Sequence, residues 1–313
     1  MKLEKTILLT GATGFVGRAV ASELKTSELR LLSRKDPHIA EGIFCKAEIS
    51  SSSVHLIYLD KVDVVVHSAA RVHVMADTAV DPLEEYRAVN VAGTLNLARQ
   101  AAVAGVKRFI FVSSVKVNGE ATTDGETFRC DDEPKPEDPY GISKAEAECG
   151  LREISIETGM EVVIIRPPLV YGPGVKANFA SMLKFASKNL PLPLGAIHNK
   201  RSMVALDNLV DLIVTCIDHP KAANQTFLVS DDRDVSTTQL LQMMTRAAGK
   251  KPWLLPVPMS WLKFAGKLTG KQAVVDRLCG NLQVDISHTK TTLGWSPPIT
   301  VEEGIARCFA LKR

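Results

Sequence analysis

The sequence predicts an α/β fold, a doubly wound parallel sheet with helices on both faces and a smaller C-terminal domain. Three observations carry this expectation. Short apolar runs of strand length alternate with helical patterns through the first half of the chain. A glycine-rich turn, Gly11 to Gly17, stands directly between the first run and the first helical pattern. After Arg166 the rhythm breaks into punctuated segments, Pro167-Pro168, Gly172-Pro173-Gly174 and Leu190–Gly195. The 313 residues fit about two domains.

The elements follow in order. Thr6–Thr10 reads as a buried strand, and Gly14 to Leu24 as the helix after it. Leu29–Leu32 and Val62–His67 are the next strands. Pro82 to Ala104 reads as one long helix with proline in its first turn. Phe109–Ser113 is a strand, Pro139–Thr158 a helix and Glu161–Arg166 a strand. Between them, Asn118–Asp138 is a long loop rich in acid, Gly and Pro, and its place suggests that it flanks a site. Further on, Asp207–Asp218 reads as a helix, Thr226–Ser230 as a returning strand, and Ser236 as the cap of a helix running to Ala248. The rest mixes short helices with turns near Trp253, Trp261 and Trp295.

Composition narrows the function classes. Hydrophobic residues make up 45% and charged residues 23%, which excludes wholesale disorder. A net charge of +3 gives no argument for nucleic acid or an anionic membrane as partner. The six cysteines are scattered without a C-x-x-C pair, so neither a metal site nor a disulfide framework is expected, and a reducing cytoplasm is the default. No apolar run approaches the ~20 residues of a membrane span. Glycines at 11, 14 and 17 interrupt what would otherwise resemble a signal peptide.

The turn Gly11-Ala12-Thr13-Gly14-Phe15-Val16-Gly17 has the chemistry of a phosphate cradle. Glycines permit a tight turn, close approach of backbone to a pyrophosphate, and close helix packing, while free N–H groups at the helix start face the anion. Residues 1–172 are therefore expected to bind a dinucleotide. Residues 173–313 are expected to be mainly substrate-binding, with segments near 203–230 returning to the sheet. The second strand ends in Ser33, Arg34 and Lys35. An acid at that place takes the ribose 2′-hydroxyl of NAD, whereas arginine tolerates the 2′-phosphate of NADP, so the cofactor is NAD or NADP, with NADP favoured.

Four later segments carry a resemblance. They are His67-Ser68-Ala69-Ala70, Asn90-Val91-Ala92-Gly93-Thr94, Tyr140-Gly141-Ile142-Ser143-Lys144, and Arg166-Pro167-Pro168-Leu169-Val170-Tyr171-Gly172-Pro173-Gly174. With the G-x-x-G-x-x-G turn they resemble, in order, the motifs of the extended short-chain dehydrogenase/reductases. The resemblance implies a Rossmann-type sheet and a Ser-Tyr-Lys catalytic group of Ser114, Tyr140 and Lys144, with Ser113 as the runner-up serine. It further implies cofactor contacts from Ala69, Ala70, Asn90, Ser113, Tyr140, Lys144 and Pro167. Tyr140 and Lys144 lie four apart on an expected helix and so share a face. A nearby ammonium favours the phenolate, so Tyr140 can exchange a proton with a substrate hydroxyl or carbonyl while hydride moves to or from the cofactor. Asn118 departs from the tyrosine common in that family, which concerns local packing.

Dehydratases of the family carry an Asp-Glu pair where this chain has Val115 and Lys116, so dehydration lacks its acid and base. The second half resembles the UDP-glucose 4-epimerases and their sugar-nucleotide relatives, most closely the UDP-N-acetyl-quinovosamine 4-dehydrogenases. It implies contacts to a UDP-sugar diphosphate from Asn178, Arg201 and Arg277; an arginine fork suits phosphate oxygens. The leading expectation is 4-keto reduction of a UDP-(N-acetyl)hexosamine in polysaccharide precursor synthesis. The alternative is an NAD-dependent UDP-hexose 4-epimerase, and a non-catalytic NADP-sensing regulator stands third. A homodimer through the two long helices is also implied.

Overall fold

The computed structural model describes residues 3–24, 26–72 and 81–310. The chain opens with β1 (Leu3–Thr10), α1 (Phe15–Glu23), β2 (Thr26–Ser33), β3 (Ile43–Lys46), α2 (Leu56–Leu59) and β4 (Val64–His67). There follow α3 (Pro82–Tyr86), a π-helical stretch Arg87–Gly93, α4 (Thr94–Val103), β5 (Arg108–Val112), a 3-10 turn Val115–Val117, α5 (Pro139–Thr158) and β6 (Glu161–Arg166). The remainder comprises β7 (Leu169–Tyr171), α6 (Ala177–Lys188), β8 (Met203–Ala205), α7 (Leu206–Asp218), β9 (Thr226–Leu228), α8 (Thr237–Ala247), α9 (Met259–Leu268), α10 (Gln272–Cys279), α11 (Ser287–Leu293) and α12 (Val301–Ala310).

Seven strands form one sheet in the order β3-β2-β1-β4-β5-β6-β9, and every pairing is parallel. Strand side chains alternate between two apolar layers, as the two-residue period requires. Ile7, Leu9, Val64, Val66, Ile110 and Val163 face one layer, to which α1 and α7 contribute. Leu8, Val65, Phe109, Phe111, Val162 and Ile164 face the other, with residues of α4 and α5. Burial on both faces explains why the strands read as unbroken apolar runs.

The sheet order reverses between β1 and β4, where Thr10 stands beside His67 at the carboxyl ends. Open α/β sheets take their ligands at such a crevice. The expected helix Pro82–Ala104 is present but interrupted by the π-helical stretch. Of the segment expected to return near 203–230, Thr226–Leu228 is the seventh strand, whereas Met203–Ala205 pairs with Leu169–Tyr171 in a separate two-stranded sheet. Around that small sheet a third core gathers Tyr171, Phe179, Leu183, Leu241, Met244 and Ile305. The acidic loop after β5 is tied down by backbone bonds, Phe128 N to Gln283 O and Asp285 N to Phe128 O, so it meets the C-terminal part of the chain. Among the described residues no helix is long and apolar enough to cross a membrane.

Candidate active site

The glycine turn sits in the crevice. Gly11 has φ +78°, and a Cβ there would lie 2.7 Å from the Ala69 nitrogen and the Ser68 hydroxyl. A Cβ on Gly17 would lie 2.2 Å from the Gly11 carbonyl oxygen. The turn can therefore pack against β4's exit only as glycine. Ser68 Oγ donates to the Thr10 carbonyl, and Ala69 N to Thr10 Oγ1, stitching that exit to β1. His67 links the hydroxyls of Thr10 (2.8 Å) and Thr94 (3.0 Å); complete burial brings its imidazole down to about 3, so it stays neutral.

Helix α1 starts at Gly14 with no side-chain cap and no acid in its first turn. Thr13 and Gly14 are exposed at its mouth, and Phe15 and Val16 are half-buried beside them. Its first N–H groups have no intrahelical partner, and the dipole favours an anion there. By contrast, Asp81, Asp138 and Ser236 cap α3, α5 and α8 with their side chains. The open start of α1 fits a dinucleotide pyrophosphate.

At the end of β2, Ser33 is buried and its hydroxyl donates to the Lys35 carbonyl at 2.6 Å. Arg34 and Lys35 are exposed, and Arg34 stands 3.9 Å from Glu48, just past β3. Asn90 lies in the π-helical stretch and is fully buried. Its Oδ1 accepts from Arg71 N, and its Nδ2 donates to Arg71 O and Ser143 Oγ. The loop carrying Ala69 and Ala70 is thereby held against α5.

Tyr140 and Lys144 share a face of α5, as their spacing predicts. Lys144 is 1% exposed, donates to the Val112 carbonyl at 2.9 Å, and stands 4.3 Å over the Phe111 ring. Burial brings its ammonium down to about 7, against a smaller upward pull from Glu148. No carboxylate pairs with it among the described residues, so its other N–H groups fit a ribose diol. The Tyr140 hydroxyl makes no hydrogen bond among the described residues. Burial pushes its phenol up, and Asp138 and Tyr86 add to the shift. A phenol held protonated through neutrality can donate to a keto group, and a cationic ring beside it would favour the phenolate for the reverse transfer.

The structure separates the two serines. Ser113 Oγ donates to Glu148 at 2.6 Å inside the core, whereas Ser114 lines a cavity of about 520 Å3 together with Tyr140. Glu148 is buried and also accepts from Arg166 (2.6 Å) and Arg152 (3.0 Å). Arg166 reaches on to Asn118 Oδ1, and Asn118 Nδ2 donates to the Arg129 carbonyl. Asn118, the departure from the family pattern, thus anchors the acidic loop. Pro167, one residue past β6, is buried and accepts from Val115 N beside Ser114.

Sequence reasoning missed Glu148; its signal was the four-residue step from Lys144 along α5. It also missed the role of Lys116, which lines the same cavity and pairs with Glu120 and Asp138. The cavity continues to Arg201 and Arg277, and both arginines also line a neighbouring apolar cavity of about 460 Å3 that includes Asn178. Arg201 Nη1 donates to the Arg277 carbonyl at 3.0 Å and has no carboxylate partner among the described residues. Two forks at one junction can hold a diphosphate between a reacting sugar and an apolar pocket. No group of three or more His, Cys, Asp or Glu side chains fit to hold a metal occurs among the described residues.

Fold and cleft define a class: a doubly wound, dinucleotide-type sheet that brings Ser114 and Tyr140 to a cleft lined further on by Arg201 and Arg277. The chain belongs to the NAD dependent epimerase/dehydratase family, whose model matches residues 7–230. It is 55% identical to a UDP-glucose 4-epimerase of Vibrio cholerae over 97% of this chain and 94% of that one. In fold it resembles the UDP-N-acetylglucosamine 4-epimerase of Bacillus cereus, with a TM-score of 0.79 at 18% identity over 98% of this chain and 99% of that one. It also resembles the UDP-glucose 4-epimerase of Thermotoga maritima solved with UDP-glucose, with a TM-score of 0.76 at 21% identity over 98% of each.

Proposed function

We propose that the chain is an NAD-dependent 4-epimerase of UDP-hexoses, which reverses the order of the two reactions expected from the sequence. The observation that carries this reading is the 55% identity to a UDP-glucose 4-epimerase along nearly the whole chain. The cleft supports it, because Val115 is apolar and buried and Lys116 is engaged by two carboxylates. Neither can serve as the second acid or base that a dehydration needs.

When bound, NAD would accept a hydride from C4 of the sugar and return it. Tyr140 would take the proton of the C4 hydroxyl and give it back to the ketone, with Ser114 donating to the same oxygen. Lys144 would hold the nicotinamide ribose and keep positive charge near the phenol. Gly11 to Gly17 would hold the pyrophosphate, and Asn178, Arg201 and Arg277 the UDP. Epimerisation also needs the keto sugar to present its opposite face before the hydride returns. Appearance of UDP-galactose from UDP-glucose, followed by NMR without added cofactor, tests the proposal. Failure to interconvert UDP-glucose or UDP-N-acetylglucosamine with their C4 epimers overturns it.

A second reading, 4-keto reduction of a UDP-(N-acetyl)hexosamine with NADPH, is favoured by one observation. β2 ends in Ser33 rather than an acid, and the exposed Arg34 and Lys35 follow. Titration with NADP(H) against NAD(H) separates the readings: retained NAD supports the epimerase, and NADPH preference without retained cofactor supports the reductase. A cytoplasmic homodimer through α4 and α5 belongs to the proposal, and a monomer in sedimentation velocity removes the dimer.

A further inference from the structure

Helix α9 presents apolar side chains to solvent. Trp261, Phe264 and Leu268 are 70%, 66% and 71% exposed. Their spacing of three and four residues aligns them on one face. The opposite side carries Gly266, where a Cβ would lie 2.7 Å from Val275 of α10, so that side is the packed one. Among the described elements, α9 packs extensively only on α10. The exposed stripe thus points away from the side of the helix that packs on α10.

Charge is the second, independent observation. Between Asp234 and Asp276 the chain has no Asp or Glu, but it has Arg246, Lys250, Lys251, Lys263, Lys267 and Lys271. The rest of the chain is slightly negative, so the small net charge conceals one strongly basic segment. All five lysines are exposed, and none forms an ion pair among the described residues. Lys263 and Lys267 stand on α9 beside the apolar stripe, and the exposed Trp253 precedes them.

A helix with Trp, Phe and Leu on one side and lysines along its flank has the pattern of an interfacial helix, which rests its rings at headgroup depth while its ammonium groups meet anionic phosphates. The absence of acids from the whole segment matches an anionic partner. We propose that α9 docks the protein reversibly on an anionic phospholipid surface. Helix α10, packed beneath it, carries Arg277 to the UDP-side cavity, so docking brings the substrate-binding part of the molecule close to the bilayer.

Flotation of the full chain with vesicles tests this. Vesicles of phosphatidylcholine containing roughly one-third phosphatidylglycerol should carry the protein, pure phosphatidylcholine should not, and added salt should release it. The variants Trp261→Ser/Phe264→Ser and Lys263→Glu/Lys267→Glu should each lower the bound fraction at least about tenfold. Turnover of a soluble UDP-sugar should stay unchanged, which also reports that both variants are folded. Wild-type protein that does not float, or variants that float as well as wild type, overturn the proposal. So does a wild-type oligomer that the same substitutions convert to monomer, because the stripe is then covered by a second copy.

Discussion

Two helix starts in this molecule are built in opposite ways. Helix α1 begins at a bare glycine with no capping side chain and no acid in its first turn. Helix α5 begins at Asp138, whose Oδ1 accepts from Gly141 N while its other oxygen pairs with Lys116. The first start leaves its N–H groups and dipole for something from outside. The second consumes them internally and so fixes the register of Tyr140 in the first turn and Lys144 in the second. One start is a binding device and the other a positioning device, although both lie at carboxyl ends of the same sheet.

Removing the chemistry that the second start positions gives the largest expected effect. Tyr140→Phe should lower turnover by roughly 10² to 10⁴ while NAD affinity and thermal stability hold, as steady-state kinetics and a binding titration would measure. Making α1 resemble α5 comes next. Gly14→Asp places a Cβ 3.1 Å from the Gly11 oxygen, a tight contact that the turn must relieve by a few tenths of an ångström. It should weaken dinucleotide binding roughly ten- to hundredfold, by more than any loss of melting temperature accounts for; unchanged affinity would mean that the pyrophosphate lies elsewhere.

Making α5 resemble α1 is milder. Asp138→Ala should cost about 1 kcal/mol of stability in denaturant unfolding and lower kcat more than it alters dinucleotide affinity. The smallest effect is a slope. The folded Lys144 ammonium titrates at about 7, below its ordinary 10.5. Between those values the unfolded chain binds the extra proton, so raising pH through this window stabilises the cofactor-free fold. Below about 7 both states are charged and the contribution is flat. Unfolding free energies of wild type and Lys144→Met, compared from pH 7 to 9, should diverge in wild type's favour as pH rises; parallel curves would refute the depressed ammonium.

The same contrast explains what the sequence reveals. The glycine turn and the Tyr140–Lys144 spacing are local devices, set by backbone geometry within one turn or one helix face. β1, β4, β5 and β6 are legible because burial on both faces leaves continuous runs of Val, Ile, Leu and Phe. The partner of Ser113 is not legible: Glu148 is 35 residues away, and only the packing of α5 on β5 and β6 brings them together. Strands of three residues, such as β7 and β8, are too short to display a period. Arg201 and Arg277 could be named as phosphate ligands, but their meeting at one junction depends on loops from distant parts of the chain. The expectation of reduction over epimerisation draws on the resemblance to the 4-dehydrogenases and on Arg34 and Lys35, two exposed side chains of which Arg34 stands 3.9 Å from Glu48. The basic segment around α9 was in plain view, yet summing charge over the whole chain averages it away.

The π-helical stretch at Arg87–Gly93 has a consequence for how this chain can change. A wide turn holds one residue more than the ordinary helix would, and each residue corresponds to about 100° of rotation. Deleting one residue between Arg87 and Asn90 would give a smoother helix and turn Asn90 out of phase with Arg71 and Ser143. Substitutions along α3 and α4 can accumulate singly, but the count of residues there is locked. Length, rather than identity, is what that segment has to inherit.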